Sequence, residues 1–507
     1  MRCARWHGHR AWTSVPARPF LSLHPSSIPM TELTRLTACA AVDLLERRQV
    51  SPLELVDAAA ARIAATDGAI NALPTLCLDR ARDQAKRLMD APRAPTSASG
   101  DGRGRLHGLP IAVKDNIDVA GVRCTSGSMA FEHRIAPAND VVVDRLEAAG
   151  AIVIGKSNLP EFAAGGTTTN DVFGTTYNPW DTTKTCGGSS GGSAAALAAG
   201  QVWLATGNDF AGSIRIPSSF CGTVGLRPTA GTVARVQRQA YSPLSVEGPM
   251  GRTVADVALM LDCQAGELGA DPLSRPAPAR SFLSAAREPA LPARIAFSPD
   301  LGIAPMVDPE VARICRTTAK AMQGPGSRVE EACPDLQDAD LVFQVLRSFL
   351  YVGRLAHIMD RDRERMSPNV VWNTEQGLAR SVREVVEADV AQAAIARRVA
   401  RFFDDHDLLL CPVAITPAFD AKLAQLDEFG GVRFGFYYQW MMMTYAISVT
   451  ACPSLAVPCG LTAGGLPVGM QLIGPPRSEH RLLAAGAWLE QQLGLHERVP
   501  LLPQIRL

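Results

Sequence analysis

Lysine is scarce in this chain. Only six of its fifty basic side chains are lysines (Lys86, Lys114, Lys156, Lys184, Lys320 and Lys422), and arginine supplies the rest. Acidic side chains also number fifty, so no net field draws the chain to nucleic acid or to an anionic membrane. No apolar run reaches the ~18 residues that a membrane helix needs. The longest mild candidate, AAALAAGQVWLAT from Ala194, is short and broken by Gly200. The twelve cysteines include no C-x-x-C, and most, like Cys411 and Cys452, sit in apolar stretches. That usage fits buried thiols in a reducing, cytoplasmic setting better than disulfides. The nine histidines show neither H-x-x-x-H nor H-E-x-x-H, so no metal and no cofactor is expected.

Acid is absent from the first 29 residues, which carry four arginines. Such a segment reads as a disordered extension, either an upstream start ahead of Met30 or a targeting peptide, and stays apart from the fold. Beyond it, Ser51, Pro52 and Glu54 open a helix with a capping box. The Pro/Gly/Ser-rich stretch 91–105 reads as a loop. From 107 to 231 short apolar strands (LPIAV, AIVIG, VWLAT) alternate with helical runs (DVVVDRLEAAG, SAAALAAG). This alternation predicts an α/β fold, with a mixed, largely parallel central sheet flanked by helices. Residues 265–405 read as a polar, variable helical region. DLLLCPVAITP, PSLAVPCG and LPVGMQLIG return as strands, so 30–507 is expected to form one large domain around a catalytic core at about 105–231.

Two segments carry chemistry. CGGSSGG at 186–192 and FAGSIR at 210–215 set serines among glycines. Glycine and serine build flexible loops by default, but a serine nucleophile also needs bare backbone around it. Ser189 satisfies G-x-S-x-G, the nucleophile elbow, yet the polar NPWDTTKTC before it is not the buried strand that an elbow follows. A histidine base could come from His357, His406, His480 or His496, none in an informative setting. No Gly-Lys-Ser/Thr follows the glycines, so a phosphate loop is excluded. Lys114 closes the apolar strand of LPIAVKDN, where arginine would be the local habit. A desolvated lysine can give up its proton and act as a general base, whereas arginine cannot. Snorkelling to solvent or pairing with Asp115 is the alternative. Lys156 in AIVIGKSN poses the same question.

GLPIAVKDNIDV, KSNLPEFA, CGGSSGGSAAALAAG, GNDFAGSIRIPSSFCGTVGLRPT and LPVGMQLIG together resemble the amidase signature family. The resemblance extends over residues 30–507. It implies amide hydrolysis through an acyl-enzyme, with Ser213 at the nucleophile position, Ser189 at the bridging serine and Lys114 at the catalytic lysine. It also implies a cis peptide at Gly188–Ser189, and an oxyanion hole from the N–H groups of Phe210, Ala211, Gly212 and Ser213. Asn208 and Ala211 depart from the usual threonine and glycine. Alanine keeps its N–H, so the hole survives if φ at Ala211 is negative. Cys186 stands where proline is common and reads as a buried inert thiol. Asp209 and Arg215 read as structural, ordering the turns around Ser213.

The family also contains tRNA-dependent amidotransferase subunits, which usually carry glutamine where this chain has Ile216. The variant is more similar to hydrolases of 6-aminohexanoate oligomers, aryl acylamides and carbamates. An amidotransferase subunit, or a catalytically silent assembly subunit, is the alternative. The expected partner is a small-molecule amide or carbamate, with no nucleic acid and no membrane, and with a homodimer left open. Within FGFYYQWMMMTYA (434–446), Tyr438 and Trp440 are candidate walls of an apolar substrate pocket. The same stretch could equally be a helix packed on the sheet.

Overall fold

The computed structural model describes residues 29–90, 106–236 and 239–506. The expectations for the N-terminal extension and for the 91–105 loop therefore fall almost wholly outside the described residues. Within them, the short buried runs become strands of one eleven-stranded sheet. Its order is Thr75–Leu76, Ile152–Ser157, Pro110–Lys114, Leu204–Asp209, Val246–Gly251, Val224–Arg227, Ser454–Leu461, Pro467–Ile473, Leu408–Pro412, Arg294–Phe297 and Arg328–Glu331.

The sheet is mixed, as expected. Pro110–Lys114 runs parallel to both of its neighbours, Ile152–Ser157 and Leu204–Asp209. A second parallel block joins Arg294–Phe297 to Arg328–Glu331 and Leu408–Pro412. Between the two blocks the pairings are antiparallel, because hairpins such as Ser454–Leu461 with Pro467–Ile473 fill the middle. The C-terminal strands do return to the first sheet, through the pairing of Ser454–Ala456 with Arg227–Gly225.

Helices cover both faces. Along Leu408–Pro412, Leu408 and Leu410 enter one apolar core while Leu409 and Cys411 enter the other, as period-two side chains of a doubly covered strand must. Ser51 caps Pro52–Ile70 as expected: its Oγ accepts the Glu54 N–H at 3.2 Å, and Glu54 Oε2 accepts the Ser51 N–H at 2.8 Å. Region 265–405 is largely helical, including Pro309–Ala321, Ala339–Asp362, Pro368–Leu378 and Val382–Asp405. It also contributes the strands Arg294–Phe297 and Arg328–Glu331. Both escape periodicity because each is four residues long, and the charged Arg328–Glu331 lies at the sheet edge. Among the described residues no helix is long and apolar enough to cross a membrane.

Candidate active site

Pro110–Lys114 and Leu204–Asp209 run side by side and in parallel, so Lys114 and Asp209 end their strands at the same edge. Crevices beyond the carboxyl ends of strands are where α/β sheets bind ligands. The Lys114 backbone N–H donates to Thr206 Oγ1 at 2.9 Å, which fixes the strand end. The lysine side chain is wholly buried. Its Nζ lies 2.7 Å from Ser189 Oγ, 2.9 Å from Ser190 Oγ and 2.8 Å from Asn208 Oδ1.

The two lysines in doubt now separate. Lys156 donates to the Ile117 carbonyl at 2.7 Å and stands 3.6 Å from Asp115 Oδ1, as a buried ion pair. Lys114 has only neutral oxygens around it and, among the described residues, no carboxylate within ion-pair distance. Burial pushes its pKa well below the usual lysine value. The positive charges of Arg354 and Arg235 push the same way, while Asp209 and Glu247 oppose them.

The glycine–serine segment at 186–192 is a packed connection rather than a flexible loop. Cys186–Ser190 links the short hairpin strand Asp181–Thr185 to the buried helix Gly191–Ala198, and the Gly188–Ser189 peptide is cis. The preceding strand pairs with Tyr177–Asn178 and bridges to Asp420, and lies outside the central sheet, so the nucleophile-elbow geometry is absent. A Cβ on Gly192 would sit 2.3 Å from the Asn158 backbone nitrogen, so only glycine lets the helix start this close. The Ser190 N–H donates to the Ser213 carbonyl at 3.0 Å, which ties the two serine segments together.

Ser213 is buried in the turn between Leu204–Asp209 and the helix Arg215–Cys221. That turn is held from inside by Asp209. Its carboxylate accepts the N–H groups of Gly212 (2.9 Å) and Ile214 (3.3 Å), together with Arg215 Nε (2.9 Å) and Nη2 (2.8 Å). Arg215 and Arg227 hold this carboxyl well below its usual range despite burial. Arg215 also donates to Gln471 Oε1 at 2.7 Å, to the Thr444 carbonyl at 3.0 Å and to Ser448 Oγ at 2.8 Å. Gln471, inside the C-terminal LPVGMQLIG, is thus the far anchor of the Ser213 turn.

Gly212 takes φ of +109°, and a Cβ there would meet Thr444 Oγ1 at 2.3 Å. Its N–H already belongs to Asp209, so the four donors expected at 210–213 reduce to three. Among the described residues the N–H groups of Phe210, Ala211 and Ser213 meet no acceptor. Ala211 keeps a negative φ.

Other candidates fall elsewhere. Cys186 is wholly buried with its Sγ 3.3 Å from the Thr176 carbonyl, and burial raises its pKa to about 12. His406 contacts Glu330 and His480 the Arg280 carbonyl, while His357 is exposed and His496 lies near the chain end. Tyr438 and Trp440 are buried in the apolar cluster on one face of the sheet. Trp440 stacks on Phe220 with centroids 6.4 Å apart and meets Phe419 edge-on, while Tyr438 packs edge-on against Phe343 beneath Arg347. Ser190 and Asn208 are the contacts of Lys114 that sequence reasoning missed. Asn208 stood out only as a departure from threonine, with no sign of how far its amide would reach.

A sequence profile described as Amidase matches residues 54–483. A glutamyl-tRNA(Gln) amidotransferase chain of Synechococcus sp. (strain CC9605) is 33% identical over 473 residues, covering 88% of this chain and 94% of its own. An acylamidase of Rhodococcus erythropolis is 33% identical over 469 residues, covering 91% of this chain and 96% of its own. Among solved structures, a bacterial aryl acylamidase superposes with a TM-score of 0.84 at 26% identity, covering 92% of this chain and 99% of that one. The motifs, the mixed sheet and these likenesses agree: the chain belongs to the amidase signature family.

Proposed function

We propose that the protein hydrolyses a carboxamide, or a related carbamate or aryl amide, through an acyl-enzyme on Ser213. The observation that carries this reading is the environment of Lys114, an amine buried among neutral oxygens with its pKa lowered. Asn208 Oδ1 can only accept, so it takes one Nζ–H of the neutral amine. Ser190 Oγ takes the other, leaving the lone pair for the Ser189 hydroxyl.

Ser213 Oγ attacks the carbonyl carbon as its proton passes to Ser189 and the Ser189 proton to Lys114. The oxyanion is met by the free N–H groups at Phe210, Ala211 and Ser213, where one donor is worth ~3–4 kcal/mol. Collapse breaks the C–N bond, and the amine leaves with the proton returned from Lys114 through Ser189. Water then attacks the ester by the same route, giving the acid and restoring Ser213. No redox partner is needed.

A fluorophosphonate should add one adduct, mapped by peptide mass spectrometry to Ser213, together with amine release from an anilide. Labelling at Ser189 alone would overturn the assignment. The amidotransferase relatives support a second reading, in which glutamine is the amide and a partner receives the ammonia. Ile216, buried in an apolar cluster, weighs against it. Ammonia release from glutamine with no turnover of anilides would favour it.

A further inference from the structure

Phe210, three residues before Ser213, lines a cavity of about 280 Å3, near the small end of ligand pockets. Ser126, on the loop that follows the Lys114 strand, lines it too. The opposite wall is one face of helix Ala339–Asp362, with Tyr351, Arg354, Leu355 and Ile358 at helical spacing. Arg235 completes it. This cavity touches a segment assigned to catalysis, yet no step of the proposed hydrolysis uses the two arginines in its wall.

Their charges are not equally met. Arg235 Nε lies 3.3 Å from Glu247 Oε1, and its Nη1 donates to Ser245 Oγ at 2.8 Å. Arg354 is partly buried and, among the described residues, makes no ion pair and no hydrogen bond. Arg354 lines the cavity together with the aromatic residues Phe131, Phe162 and Tyr351. Leaving a cation unpaired in partly apolar surroundings is costly, and a planar carboxylate can accept two parallel N–H bonds from arginine. The contrast with Arg347, on the same helix and held by Asn373 and Tyr437, is direct.

The geometry points to a substrate that carries a carboxylate as well as the scissile amide, with Arg354 as the residue that binds it. This rests on the hydrolase reading and names its substrate class. The anion sits on either the acyl or the amine side of the amide, so both are probed.

Two pairs of substrates differ only by carboxylate against isopropyl: glutaranilate with 5-methylhexananilide, and 4-acetamidobenzoate with 4-isopropylacetanilide. In at least one pair the wild type should prefer the carboxylate tenfold or more in kcat/KM. Arg354→Met should collapse that ratio toward one, and Arg354→Lys should recover part of it. Binding is read separately by calorimetry on Ser213→Ala with glutaranilate and 4-acetamidobenzoate. Adding Arg354→Met should weaken the tighter one at least tenfold. Absence of preference in both pairs with no effect of Arg354→Met on binding overturns the proposal, as does an unchanged ratio in the variant. If no amide turns over but binding still depends on Arg354, the pocket assignment stands and the hydrolase reading falls. Turnover of both neutral amides without preference gives the reverse.

Discussion

Asp209→Asn removes one charge from a place that water cannot reach, since Asp209 and Arg215 are both fully buried. The carboxylate accepts from four N–H groups of the Ser213 turn and of Arg215, and Arg227 Nη1 lies 3.4 Å away. Asparagine keeps one acceptor and turns the other into a donor. With its NH2 at Oδ2 it faces Arg215 Nε and the Ile214 N–H; flipped, it faces Arg215 Nη2 and the Gly212 N–H. At least two hydrogen bonds are lost either way, and a third when the NH2 stands at Oδ1 beside Arg227 Nη1. The loss common to both orientations is one charge-assisted bond at about 1.5–3 kcal/mol and one to the backbone at about 1 kcal/mol. Breaking a buried ion pair by removing one partner costs about 3–5 kcal/mol. Both routes converge on a loss of about 3–4 kcal/mol, read as a lower urea midpoint at constant slope. Amide turnover should fall at least a hundredfold, because the turn that presents Ser213 loses its anchor. The folded-state pKa of Asp209 is depressed, so its contribution is present above the unfolded value and lost as pH falls through the folded one. Wild type and variant should therefore converge only in strong acid. A stability loss under 1 kcal/mol at neutral pH would refute the reasoning.

Lys114→Met and Lys114→Arg should each lower kcat by at least two to four orders of magnitude, the usual contribution of a general base, whereas alanine at His357, His406, His480 or His496 should leave kcat within a few-fold. Loss of activity in one of those histidine variants with the fold intact would displace Lys114 as the base. The acid limb of kcat/KM should follow deprotonation of Lys114, which faces Asp209 and Glu247 as well as Arg354 and Arg235; Arg354→Met removes a like charge, raises the lysine pKa and should move that limb to higher pH. Cys186→Ala should keep full turnover and wild-type resistance to iodoacetamide, as expected of a buried thiol. Trp440→Ala should cost about 3–5 kcal/mol of stability, the range for emptying an aromatic core site, with the ratio of kcat/KM between bulky and small amides unchanged.

The meeting of Lys114 with Ser189 was foreshadowed in sequence by a lysine where arginine is the custom and by serines wedged among glycines, but those cues alone left both residues open, and only the family resemblance joined them. Helix starts were legible through caps such as Ser51. The four-residue strands Arg294–Phe297 and Arg328–Glu331 were not, since so short a run shows no period. The aromatic stretch at 434–446 stayed open to two readings because sequence gives residue type but not direction; in the structure Tyr438 and Trp440 are buried in an apolar cluster. Arg354 left no trace, since one arginine among forty-four becomes distinctive only when its neighbours in space fail to pair with it.

The cavity wall at Tyr351, Arg354, Leu355 and Ile358 belongs to a helix outside the central sheet, while Lys114, Asn208 and Asp209 terminate sheet strands. On the proposed reading, reactivity and selectivity thus have separate mechanical supports. On that reading a substitution on that helix face alters what the site admits and leaves the strand ends in place, with charge, as at Arg354, the one influence that reaches Lys114. Substrate range can therefore drift between relatives one side chain at a time, with the hydrogen-bonded centre as a fixed reference.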